Sequence, residues 1–149
     1  MSTVSITIND SNLRRGLRAL ESAAADMTPA MRKIAGTLHA ETDINFDETG
    51  RPEWIVSQAA EDRDGQTLRK TGRLQGSVST EYDSSTAMIG TNTIYGAIHQ
   101  FGGKTGRNES VELPARPYLP IDEEGNLQSE AVNAVLDTVQ RHLESAAQR

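Results

Sequence analysis

Apolar positions change their spacing several times along the chain, and each change marks an element. Val4, Ile6 and Ile8 alternate with Ser5 and Thr7, the period of two expected of a half-buried strand, before Asn9, Asp10 and Ser11 turn the chain. Leu13, Leu17, Leu20 and Ala24 then recur at helical spacing and predict an amphipathic first helix. Asp26-Met27-Thr28-Pro29 reads as a break and a restart, with Thr28 as N-cap and Pro29 at the first helical position, where its missing N–H costs nothing. Met31, Ile34, Leu38 and Thr42 form the stripe of a second helix ending near Phe46, so the two helices make a hairpin.

From Asp47 to Gly72 no period is sustained: Ile55 and Val56 are an apolar pair among charges, with Gly50, Pro52 and Gly65 interspersed. A structureless stretch of that length inside a compact domain reads as a long excursion from the core, anchored by Trp54. Gln75 to Tyr82 and Thr86 to Gly90 predict a strand hairpin across Ser84 and Ser85. Ile94 to Phe101 fits a helical turn or a strand equally well. Val111 to Leu113 is strand-like, and Pro114, Pro117 and Pro120 keep the following residues extended. Leu127, Ala131, Val135, Val139, Leu143 and Ala146 predict a closing helix from Asn126 or Ser129 to about Ala147. The fold class is α+β: a small, mainly antiparallel sheet packed with an N-terminal helical hairpin and a C-terminal helix, with a long extended loop in the middle.

Composition narrows the function classes. At 149 residues one domain spanning 1–149 is expected, with residues 47–73 as an arm or loop within it. The absence of cysteine removes disulfides and thiolate chemistry. No basic patch leads into an apolar block at the N-terminus and no apolar run approaches a membrane span, so the expected place is the cytoplasm of the producing cell. A formal charge of −6 argues against wrapping nucleic acid as the main task. The charge is uneven: Arg51 to Arg73 holds five basic and four acidic residues, whereas Tyr118 to Arg149 holds two basic and six acidic ones. Such asymmetry suits contact between copies of the same chain.

Candidate chemistry is tested by spacing. Gly103-Lys104-Thr105 looks like the end of a phosphate-binding loop, but the required first glycine falls on Ile98 and no helical period follows. Calcium-loop registers centred on Gly65 or Gly125 place Ala60 or Pro120 first and Thr71 or Ala131 last, where carboxylates are needed. His39 and Glu41 mimic the H-x-E of zinc deaminases without the necessary cysteines, and His39 with Asp43 lacks a third ligand, leaving a surface pair. There is no G-x-S-x-G elbow, and His99 reads as an imidazole packed among its neighbours. Neither cofactor, metal nor small-molecule substrate is implied.

Four pieces in order are informative: Gly50-Arg51-Pro52-Glu53-Trp54, Lys70-Thr71-Gly72-Arg73-Leu74, Tyr95-Gly96-Ala97-Ile98-His99-Gln100-Phe101-Gly102, and Leu113-Pro114-Ala115-Arg116-Pro117-Tyr118-Leu119. Together they resemble the phage virion-morphogenesis, or tail-completion, family of Mu-like and related contractile-tailed phages. There "G-x-P-W", "TG-x-L", "YA-x-I-H-Q-F-G" and "PARPFL" recur in this order. Glu53 is inserted before Trp54, Gly96 stands where alanine is frequent, and Tyr118 where phenylalanine is usual. The resemblance implies a non-enzymatic structural protein acting late in assembly, at the head-proximal end of the tail or the neck. The implied form is a ring of identical subunits, sixfold to match the tail, among tail-terminator, neck or connector proteins, with DNA able to pass through its lumen and no membrane involved. The implied place is the virion, and the host cytoplasm during assembly.

In that setting Gly102, Gly103 and Gly106 permit a sharp turn after Phe101 that projects Lys104 and Arg107, and the three prolines stiffen a returning segment that presents Arg116. The expected interface residues are Arg51, Pro52, Trp54, Arg69, Lys70, Arg73, His99, Gln100, Phe101, Lys104, Arg107, Arg116 and Tyr118, with residues 50–73 packing on a neighbouring subunit or ring. Two other classes stay open: a DNA-binding assembly factor using Arg51, Arg63, Arg69, Lys70, Arg73, Lys104 and Arg107, and a small hydrolase using His99.

Overall fold

The computed structural model describes Ser5, residues 10–122 and residues 124–148. The strand expected over Val4, Ile6 and Ile8 lies outside the described residues. Helix α1, Ser11–Ala25, is followed by α2, Thr28–Asp47. The restart begins one residue earlier than expected: Thr28 is itself helical, Met27 holds the N-cap position, and the Asp26 carboxylate accepts the Thr28 backbone N–H at 3.0 Å. The long C-terminal helix, Ser129–Ala147, is α6 in chain order.

Among the described residues the β-structure forms two separate hairpins rather than one sheet. Strands β1, Ser79–Tyr82, and β2, Ala87–Gly90, pair antiparallel with Thr80 opposite Ile89. Their turn is closed by the Asp83 carboxylate, which accepts the N–H groups of Ser85 and Thr86 at 2.8 and 2.7 Å. The predicted first strand began too early, because Arg73–Ser77 winds into a short helix, α4. Strands β3, Gly103–Thr105, and β4, Val111–Leu113, make the second hairpin. Between the hairpins Gly96–Phe101 is helix α5, resolving the ambiguity of that stretch.

Helix α2 is the central element, with α6 and the β1–β2 hairpin packed against it and α1 packed on α6. Hydroxyls of Thr37 and Thr138 meet at 2.6 Å between α2 and α6. The core is aromatic: Phe46 from α2 meets Trp54 edge-on at 5.8 Å and Tyr118 at 5.5 Å, with Leu74 and Val78 completing the buried cluster. Segment 47–72 is largely irregular, with one short helix, α3, Gln58–Asp62. It does not simply leave the core. Trp54, Ala60 and Thr67 are buried, so its base and middle fold back onto their own chain.

The apolar stripe of α1 is present but largely uncovered. Leu13 and Leu17 remain 64% and 56% exposed, because α1 faces α6 through its neighbouring side, where Gly16 lies beside the Ala147 carbonyl. On α2 the buried line runs through Ala35, Leu38, Glu41, Thr42, Asn45 and Phe46, so polar groups continue an apolar stripe.

Candidate functional site

The four sequence pieces converge on one polar and aromatic clasp around Tyr118. The Gln100 side-chain oxygen, on α5, accepts the backbone N–H groups of Tyr118 and Leu119 at 3.1 and 2.9 Å. Tyr118 donates its hydroxyl to the Gly96 carbonyl at 2.7 Å, and burial pushes its pKa up to about 12. Trp54 donates its indole N–H to the Pro117 carbonyl at 3.0 Å. Arg116 donates from Nε to the Ile55 carbonyl at 2.7 Å, and its backbone N–H bonds the His99 carbonyl at 2.8 Å. Segment 114–120 is therefore held from one side by α5 and from the other by residues 50–55.

Asn45, fully buried, ties this clasp to both long helices. Its amide nitrogen donates to the Tyr118 carbonyl at 2.9 Å and to Gln128 Oε1 at 3.0 Å, and its oxygen accepts Arg51 Nε at 2.8 Å. Arg51 forms an ion pair with Glu41 at 2.7 Å, and Gln128, just before α6, donates to the Arg51 carbonyl at 2.9 Å. Glu41, Asn45 and Gln128 are buried and Arg51 is partly so, and each has a partner, the condition under which such a network rigidifies rather than destabilises.

The glycines after Phe101 answer to packing rather than to phosphate. Gly102, Gly103 and Gly106 all have positive φ. A Cβ on Gly102 would stand 2.7 Å from the Ala115 nitrogen and 2.8 Å from the Leu113 oxygen, so only glycine lets α5 end against the returning strand. The turn does project Lys104 and Arg107 into solvent, as expected, and leaves Phe101 67% exposed.

Several expected interface residues have work inside the subunit. Trp54, Gln100, Arg116 and Tyr118 are buried, and the prolines hold Arg116 inward instead of presenting it. Arg51 is tied to Glu41, and Arg69 to Asp47 at 3.0 Å, so two of the cations proposed for DNA are already neutralised, while Arg63 donates to the Gln66 carbonyl. Pro52, Lys70, Arg73, Phe101, Lys104 and Arg107 are exposed. Residues missed from sequence are Glu41, Asn45 and Gln128. For the first two a signal existed: with Leu38 and Thr42 they fall at i, i+3, i+4 and i+7 on one face of α2.

His99 is half-buried, edge-on to Tyr95 at 5.9 Å, and its Nδ1 is buried without a hydrogen-bond partner. Among the described residues no hydroxyl is hydrogen-bonded to it as a nucleophile would be. Burial, with the Arg116 charge adding to it, holds its pKa below the ordinary 6.5. The unfolded chain therefore takes up a proton near that value while the folded chain does not. Stability is complete above it and falls as pH drops toward the lower folded value. Between about pH 7.5 and about 5.5 the wild type is expected to lose more stability to urea than His99→Gln; equal losses would contradict a desolvated ring.

On the outer side of the clasp lies an open groove of about 1110 Å³, between residues 51–55 and the start of α6. Ile55, Leu127 and Val132 stand among its apolar residues and Glu53, Glu124 and Glu130 among its charged ones. Among the described residues no three His, Asp or Glu side chains converge to hold a metal ion, and no helix is long and apolar enough to cross a membrane.

The profile of the phage virion morphogenesis family matches residues 8–144. The chain is 42% identical over 124 residues to Mu-like prophage FluMu G protein 2 of Haemophilus influenzae, covering 80% of this chain and 88% of that one. It is 29% identical over 128 residues to the putative capsid assembly protein G of Escherichia phage Mu, covering 77% and 78%. It is 30% identical over 113 residues to FluMu G protein 1 of the same Haemophilus strain, covering 68% and 73%. No solved structure matches the chain significantly. The match extends beyond the clasp into the helices on both sides of it, and the chain belongs to the phage virion morphogenesis family.

Proposed function

We propose that this phage assembly protein is a structural subunit that completes the tail or forms part of the neck, building a ring, sixfold like the tail, at the head–tail junction. The observation behind the reading is the balance of apolar surface. Among the described residues the large apolar side chains that are buried are Leu38, Phe46, Trp54, Leu74, Val78 and Tyr118, whereas thirteen are exposed, from Leu13 and Leu17 to Leu136 and Leu143. A subunit of this kind covers its remaining apolar surface by contact with neighbours.

The fold also suits the position. A rigid internal clasp fixes the relation between helices and hairpins, so exposed faces are presented in a constant geometry. The relative named for capsid assembly and the family's part in virion morphogenesis both accord with a joint that touches head and tail. Partners are then other copies of the chain and adjacent tail-terminator, neck or connector proteins, with DNA passing through the lumen.

Electron microscopy of particles from a lysate in which this gene is interrupted tests the reading. Filled heads lying apart from tails, or tails with defective head-proximal ends, are expected. Normal virions in normal numbers would overturn it, as would failure of the capsids themselves to form, which would place the protein at the head.

A further inference from the structure

We propose that the outward ridge of α1 on one copy docks into the acidic groove beside α6 on the next copy, giving the head-to-tail contact that closes the ring. The proposal rests on the ring reading above and names the two surfaces it requires.

Helix α1 has no buried residue, although its apolar stripe is regular. A helix of this length draws most of its stability from burying such a stripe, so one left largely uncovered is incomplete in the isolated chain. Leu13 and Leu17 lie one turn apart and are both more than half exposed. Arg14 and Arg18, also one turn apart and exposed, border this ridge on the side away from α6. Arg14 is held by Asp10, through an ion pair whose side chains are 70% and 44% exposed, so screening leaves it readily exchanged.

The groove offers the complement. Its exposed large apolar side chains are Ile55, Leu127 and Val132, which are 66%, 41% and 39% exposed, so their own chain covers them only in part. Glu53, Glu124 and Glu130 are exposed around it, and none has an ion-pair partner among the described residues. The one cation in the lining, Arg51, is already paired with Glu41. An apolar trough with an acidic rim accepts an amphipathic helix whose leucines are flanked by arginines. Because ridge and groove are different surfaces, each copy offers both, and the contact is heterologous, the type that generates rings. Packing of α1 on its own α6 leaves the ridge facing outward, so no exchange of the helix between copies is needed.

The absence of cysteine makes the test clean. Glu21→Cys, beside the ridge, and Asn133→Cys, in the groove wall, alter neither anchor set. Two full-length chains, each with one substitution and a different tag, are produced together in the phage-producing cells. They are then treated with a short bismaleimide and separated on a denaturing gel. A mixed cross-linked dimer is expected, lost when the first chain also carries Arg14→Glu and Arg18→Glu, and restored when the second carries Glu53→Arg and Glu130→Arg. Far-UV circular dichroism of each variant establishes that it is folded. Only same-tag dimers would mean a two-fold contact and would overturn the proposal. No cross-link in cells whose head–tail joining depends on the protein would overturn the docking surfaces while leaving the junction reading in place. Normal joining without the protein would remove the junction reading itself.

Discussion

Trp54→Ala is expected to lower the free energy of unfolding by about 3–5 kcal/mol, the cost of truncating a buried aromatic. The indole is only 5% exposed and sits edge-on to Phe46, so alanine would open a cavity next to the ring that also supports Tyr118. Its N–H is the donor to the Pro117 carbonyl, which would lose that partner. The Gly50 backbone packs directly on the ring, since a Cβ there would stand 2.5 Å from it, so truncation also removes that contact. A domain of this size has about 5–15 kcal/mol in total, so the variant is expected to unfold at a much lower urea concentration. Trp54 is the chain's single tryptophan, so the transition must be followed by far-UV circular dichroism rather than fluorescence. Trp54→Phe separates the contributions: it keeps most of the packing and loses the hydrogen bond, at a cost of about 1–2 kcal/mol. A Trp54→Ala variant within about 1 kcal/mol of wild type would show that the ring is not part of the core.

Asn45→Leu is expected to cost a comparable amount, about 3–5 kcal/mol, although it replaces a polar side chain in the interior by an apolar one of similar size. The substitution strands three groups at once: the Tyr118 carbonyl, Gln128 Oε1 and Arg51 Nε all lose their bond to the amide. A buried group left without its partner costs about 1–3 kcal/mol, more when charged, and Arg51 is charged. Its ion pair with Glu41 remains, but the guanidinium then loses one of the two side chains that orient it. The loss should reach the assembly surface, because Gln128 and Arg51 set the start of α6 against residues 51–55, which are the two sides of the groove. Urea unfolding measures the first effect, and the cross-link between Glu21→Cys and Asn133→Cys chains measures the second at a temperature where the variant is still folded. A near-neutral Asn45→Leu would mean that these bonds form in the structure without holding it together.

The long helices were legible because their information is local. On α6 the apolar spacing placed the helix to within its end residues, and on α2 Pro29 and the Leu38–Thr42 stripe did the same. The β1–β2 turn was legible for the same reason, since Asp83 closes it within three residues. Helix α5 was not, because six residues do not complete two turns and give no period to read. The exposure of the expected interface residues was legible only in part: Lys104 and Arg107 project as the glycines suggested, but Gln100, Arg116 and Tyr118 are buried and Arg51 is partly so. Helix α1 was legible as an amphipathic helix, but helical spacing shows that a stripe exists and does not say what covers it.

By itself, the sequence determined the α+β class, the positions of the major helices and of the β1–β2 hairpin, and, through four short pieces in order, the family. All of these depend on contacts between near neighbours or on the order of residues. Only the tertiary structure decided which side chains are internal, because the deciding bonds join residues far apart: Asn45 to Tyr118, Trp54 to Pro117, Arg51 to Gln128. A polar side chain carries no local signal of a partner 60 or more residues away. Its burial is favourable only once the fold has brought that partner within hydrogen-bonding distance.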